Sequence, residues 1–141
     1  MKSINIFLII SLLVLSINAS AQTRREDRID EEYRKCLMKD TSYAVLADCS
    51  FKAYEKWDKE LNKAYNKLIE KIKKEKNKEA MRQAQAAWRA YRDAEFNAYN
   101  YMFNQPGNEM AIMREEGRIE VVRERTLQLR AYIEALKIEK E

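Results

Sequence analysis

Trp57-Asp58-Lys59-Glu60-Leu61-Asn62-Lys63-Ala64-Tyr65-Asn66-Lys67-Leu68 puts apolar residues at 57, 61, 64 and 68 and fills most of the gaps with charge. Steps of three and four return to the same side of a helix, so this stretch predicts an amphipathic helix. Leu46 and Ala53 extend the stripe backwards and Ile72 extends it forwards. Met81, Ala84, Trp88, Tyr91, Ala98 and Met102 make a second stripe, and Ile119, Val122, Thr126, Leu129, Ile133 and Leu136 a third. Both glycines and the single proline lie between 106 and 117. Residues 22–105 therefore lack either breaker, which a β protein with its frequent turns would need.

Four helices are expected, at about 26–38, 43–76, 78–104 and 109–140. The first is only weakly amphipathic by its sequence. Asp40-Thr41-Ser42 is a polar break with N-cap candidates. Asn77 is the expected break between the second and third helices. Gln105-Pro106-Gly107-Asn108 is the one clear turn, and Gly117 marks a bend. The reading is an all-α, up-down antiparallel bundle of three long helices plus a short N-terminal one.

Residues 1–21 stand apart. Lys2, an apolar run from Ile4 to Leu15 and Ala19-Ser20-Ala21 have the layout of a secretory signal peptide. The run is shorter than the ~20 residues that span a bilayer. An uncleaved anchor is the alternative. Cleavage after Ala21 would leave one domain, 22–141, exported to the periplasm or the medium. Cys36 and Cys49, the only cysteines, then read as a disulfide stapling the first helix to the second, with two free thiols as the alternative.

Composition removes most chemistries. The 141 residues include no histidine, which excludes Ser-His and Cys-His nucleophiles and histidine-ligated zinc. No phosphate-binding glycine loop, dinucleotide fingerprint or nucleophile elbow is present. No cofactor or metal is expected, and the chain does not read as an enzyme. Asp27, Asp30, Glu31 and Glu32, and again Glu115, Glu116 and Glu120, are carboxylate clusters without the apolar surround that acid–base work needs. Without Lys2 the net charge is +3. Residues 63–82 alone carry eight basic and three acidic side chains. Lys71, Lys73, Lys74 and Lys76 at this tip form a candidate patch for an anionic surface such as phospholipid headgroups. No aromatics interleave with them, so nucleic acid is not the expected partner.

Asp58, Leu61, Asn62 and Tyr65 form one band, and Gln85, Trp88, Arg92 and Asp93 another. Antiparallel helices would bring the bands together as a packed seam with polar margins; the alternative is a rigid surface presenting Arg92 and Asp93 to a partner. With Cys36, Cys49, Tyr91 and Arg125-Thr126-x-x-Leu129, these residues resemble the lysozyme inhibitor LprI-like family. Gln85-x-x-Trp88-x-x-Tyr91-Arg92-Asp93 is the most specific part. The resemblance implies a helical, exported, non-enzymatic binding module that blocks a lysozyme-type muramidase by occlusion. An alternative is an envelope interaction module that uses the lysine-rich tip to hold a protein or an anionic component. The family commonly has a cysteine where Phe96 stands and another before the last helix. Their joint absence implies that one bridge, Cys36–Cys49, remains and that Phe96 packs in place of the second.

Overall fold

A computed structural model describes residues 27–103 and 108–138. The signal-like segment and the Gln105-Pro106-Gly107 turn lie outside the described residues. Four helices follow in order: α1 (Arg28–Leu37), α2 (Tyr43–Lys71), α3 (Glu75–Met102) and α4 (Asn108–Ile138). No strand occurs among the described residues.

Asp27 caps α1 by accepting a hydrogen bond from the Ile29 backbone N–H at 3.0 Å. Asp30 and Glu31 add negative charge to the first turn, where the helix dipole favours it. Contrary to the sequence reading, α1 is clearly amphipathic. Ile29 and Tyr33 pack into the core and Cys36 continues the same side. The face was obscured because Tyr33 and Cys36, unlike leucines, count weakly as apolar.

The break between α2 and α3 is not at Asn77. Ile72 and Lys74 adopt extended backbone, with ψ of 122° and 125°, so α2 ends at Lys71 and α3 begins at Glu75. Asn77 lies in the first turn of α3, its N–H bonded to the Lys74 carbonyl at 3.0 Å. Neither boundary residue makes a side-chain cap. The turn therefore has no sequence signature and is set by packing.

Side-chain pairs give the topology. Tyr43 donates to Glu109 at 2.7 Å near the start of α2 and α4, and Arg130 donates to Glu60 at 2.9 Å further along, so these two helices run parallel. α1 lies antiparallel across both, from the Cys36–Cys49 bridge at one end to the Arg130–Asp27 pair at the other. α3 is antiparallel on the opposite side, with Arg118–Asn100 and Arg125–Gln85 as its ties to α4. The result is the expected up-down bundle, built round the α2–α4 pair.

The first and third sequence stripes make the core. Ala53, Trp57, Leu61, Ala64 and Leu68 of α2 meet Ile119, Val122, Leu129 and Ile133 of α4, all buried. Thr126 is accommodated among them because its hydroxyl donates back to the Val122 carbonyl at 2.8 Å. The second stripe is not a core face. Ala84 is exposed and Tyr91 and Met102 are more than half exposed. α3 instead turns Met81, Gln85, Trp88, Phe96 and Tyr99 inward, and only Gln85 is buried outright. Gly117 works as a contact point within α4. A Cβ there would lie 2.9 Å from the Tyr99 ring.

The Cys36–Cys49 bridge, with Cα atoms 5.8 Å apart, closes a short loop. Replacing both cysteines with serine should lower unfolding free energy by about 3 kcal/mol in urea titrations. An unchanged midpoint and slope would show that the staple contributes nothing.

Candidate functional site

The most specific sequence motif converges on the α3–α4 seam. Arg125 is buried on α4. Its Nε and Nη2 donate to the Gln85 Oε1 at 3.0 and 2.9 Å, and its Nη1 donates to Gln128. Burial pulls its guanidinium below the ordinary value, opposed by the nearby Tyr132. Desolvating a cation is tolerable here because the amide oxygens satisfy its donors. Trp88 lies between two guanidinium groups, Arg125 at 5.8 Å and Arg92 at 5.5 Å from the ring centre. Arg92 is itself held by Asp93, its Nε and Nη2 donating to one carboxylate oxygen at 2.9 and 2.7 Å. Gln85, Trp88 and Arg125 thus form a clasp that fixes α3 to α4, flanked on α3 by the Arg92–Asp93 pair, whose carboxylate is exposed.

The band on α2 is divided. Leu61 is in the core and Tyr65 packs at its edge. Asn62 turns back to Asp58, donating to its backbone carbonyl at 2.9 Å and its carboxylate at 3.3 Å. The polar residues of the two bands therefore do not satisfy each other across the seam. Gln85 finds its partner on α4. Tyr91, also in the motif, is exposed. Phe96 packs where the family commonly has cysteine: edge-on to Tyr54 at 6.0 Å, with Arg118 at 5.3 Å over its ring.

The carboxylate clusters are engaged by neighbouring side chains: Glu31 and Glu32 by Lys35 and Lys56, Glu116 by Tyr33, and the rest chiefly by arginine. Asp30 accepts from the Trp57 indole N–H at 3.1 Å and from Arg123 at 2.8 Å. Asp27 and Glu60 share Arg130. Glu115 is largely covered and paired with Arg114 and Arg118, so with Glu116 and Glu120 it does not make an open acidic patch. The sequence reading missed the arginine partners. The available signal was Arg123 and Arg130, one heptad apart on α4, facing Asp27 and Asp30, one turn apart on α1.

Lys71 is half-buried at the end of α2, whereas Lys73, Lys74 and Lys76 project from the bundle tip. Two adjoining hollows, about 550 and 310 Å³, run from the start of α1 towards that tip between α2 and α4. They exist because α1, at ten residues, spans only about 15 Å of a helix almost three times as long. Among the described residues, no group of histidines, cysteines or carboxylates could hold a metal ion, and no helix is long and apolar enough to cross a membrane.

The family model described as lysozyme inhibitor LprI matches residues 36–129. The chain belongs to that family, which is described as one of inhibitors, not of enzymes. Comparison with curated proteins and with solved structures found no match. The match starts at the first bridging cysteine and ends in the core stripe of α4, so it takes in the whole α3–α4 clasp.

Burial raises the Asp27 carboxyl, but the Ile29 N–H and Arg130 outweigh it and bring it below its ordinary 3.8. Burial likewise opposes Arg130 and Lys63 at Glu60, which ends below 4.5. Groups with lowered folded values stabilise above their unfolded values, and this stability disappears as pH falls through the folded ones. Stability should therefore be flat between pH 5 and 8, where no histidine titrates, and fall below about pH 4. Arg130→Met should flatten the acid limb in pH-dependent denaturation. An acid limb identical to the parent's would remove these pairs from the account.

Proposed function

We propose, from membership of this family, that the chain is an exported binding module of the lysozyme-inhibitor type. In this reading residues 1–21 direct export and are removed, and residues 22–141 act by covering the substrate cleft of a muramidase, with no chemistry of their own. Of the residues most specific to the family, Gln85 and Trp88 hold α3 to α4, whereas Tyr91 and Asp93 are exposed. Partner contact then falls to the exposed surface.

The observation that best supports a docking function is an apolar end. Met38, Tyr43, Phe51, Tyr101, Met102 and Met113 are all exposed at the end where α1 meets α2 and α3 meets α4. Tyr101 is 85% exposed and Met102 57%. Aromatic residues and methionine are the types enriched at protein interfaces. Such a surface needs no long-range attraction. A chain of net +3 would have none for the strongly basic animal lysozymes.

The test is inhibition of a panel of animal and bacterial muramidases by the purified mature protein. At least one enzyme should be inhibited, and Tyr101→Ser with Met102→Ser should weaken inhibition by about tenfold or more. No inhibition of any enzyme at about 50 μM would reject the reading. N-terminal sequencing of exported protein should begin at Gln22.

A further inference from the structure

The lysines of α2 form a row that the tip alone does not account for. Lys59, Lys63, Lys67 and Lys71 repeat every fourth residue, and Lys74 follows in the turn. On a helix that interval is a rise of about 6 Å, so the four helical lysines define a ridge about 18 Å long. Lys59 lines the larger hollow, Lys63 both and Lys67 the smaller. Among the described residues, only Lys63 of the row has a carboxylate within ion-pair distance, Glu60 at 3.2 Å. The two carboxylates of the smaller hollow are already engaged, Glu60 by Arg130 and Glu134 by Lys137 at 2.7 Å. Glu134 acts at longer range on Lys67 and Lys71, so the row is a periodic positive charge offset only in part. Beside it Ala64 and Ile133 give the hollow an aliphatic floor.

We propose that this row and the hollow beside it form a binding track for a linear polyol-phosphate polymer. Successive phosphodiesters would sit on successive ammonium groups, with the carbon links against Ala64 and Ile133. The long, flexible lysine stems let ammonium groups spaced at roughly 6 Å follow the phosphates of a three-carbon polyol phosphate. Lysine meets phosphate as a point charge, whereas close recognition of carboxylates favours the arginine fork. A single-stranded nucleic acid has the same phosphodiesters but calls for aromatic platforms, and none lines either hollow. This binding is separate from the apolar end of the bundle and does not depend on muramidase inhibition.

The experiment is fluorescence polarisation with a labelled poly(glycerol phosphate) oligomer and the mature protein. Binding should be seen at about 50 mM salt and weaken by about fiftyfold by 200 mM, as four or so released counterions require. Lys59→Gln, Lys67→Gln, Lys71→Gln and Lys74→Gln together should weaken it at least about tenfold. The same loss of charge at Lys35, Lys39, Lys52 and Arg89 should change it less than about threefold. Circular dichroism and thermal melting check that both variants fold. No binding at low salt, equal losses in the two variants, or equally tight binding of a single-stranded oligonucleotide or polyglutamate would each overturn the proposal. The row variant should retain any muramidase inhibition of the parent, so the two functions fail or stand separately.

Discussion

A buried indole N–H must be paired, and that requirement organises one side of this bundle. Trp57 is fully covered, and its N–H reaches Asp30 on α1. A carboxylate brought to the core edge must then be neutralised, which Arg123 on α4 does at 2.8 Å. Arg123 and Arg130 also lie over the Trp57 ring, at 5.8 and 5.5 Å. One aromatic residue on α2 thereby fixes the placement of α1 and the rotation of α4. The Cys36–Cys49 bridge restrains the far end of α1, so a ten-residue helix that could not stand alone is held at both ends.

α3 is held on different terms. It buries one side chain outright, a glutamine, and leans on α4 through a guanidinium–amide clasp and two cation–π contacts, Arg125 on Trp88 and Arg118 on Phe96. Two of the most recognisable residues of the family, Gln85 and Trp88, are therefore those that attach the least buried helix. That attachment needs specific donors and acceptors, whereas the α2–α4 interface can be satisfied by many combinations of aliphatic residues. A motif of this kind identifies the fold and leaves the partner to be decided by surface residues, Tyr91 and Asp93 among them.

The sequence makes α2 and α4 legible because their stripes are true core stripes, Trp57 to Leu68 and Ile119 to Ile133. It misleads at α3, where alanines at helical spacing imitate a buried face while Ala84 and Tyr91 face water. It is silent at Ile72, since two extended residues between lysines leave no glycine, proline or capping side chain to read. The disulfide followed from an even pair in a chain with a signal-like start. The arginine–carboxylate network did not, because its partners are far apart in the chain. The lysine row could have been counted from the sequence. The open groove beside it depends on where α1 stops.

That network also bears on how the chain reaches its fold. Asp27 and Arg130 are 103 residues apart, and Asp30 and Arg123 are 93 apart. Several partners of α1, Glu116, Arg123 and Arg130, lie on the last helix to be synthesised. Contacts of such separation close the largest loops and form late. The bridge spans a separation of only 13. Once formed in an oxidising compartment, it tethers α1 beside α2 whether or not α4 has docked, raising the local concentration of the acidic helix for its arginines. The staple is thus a placeholder in time as well as a crosslink, keeping the first helix in position for the last.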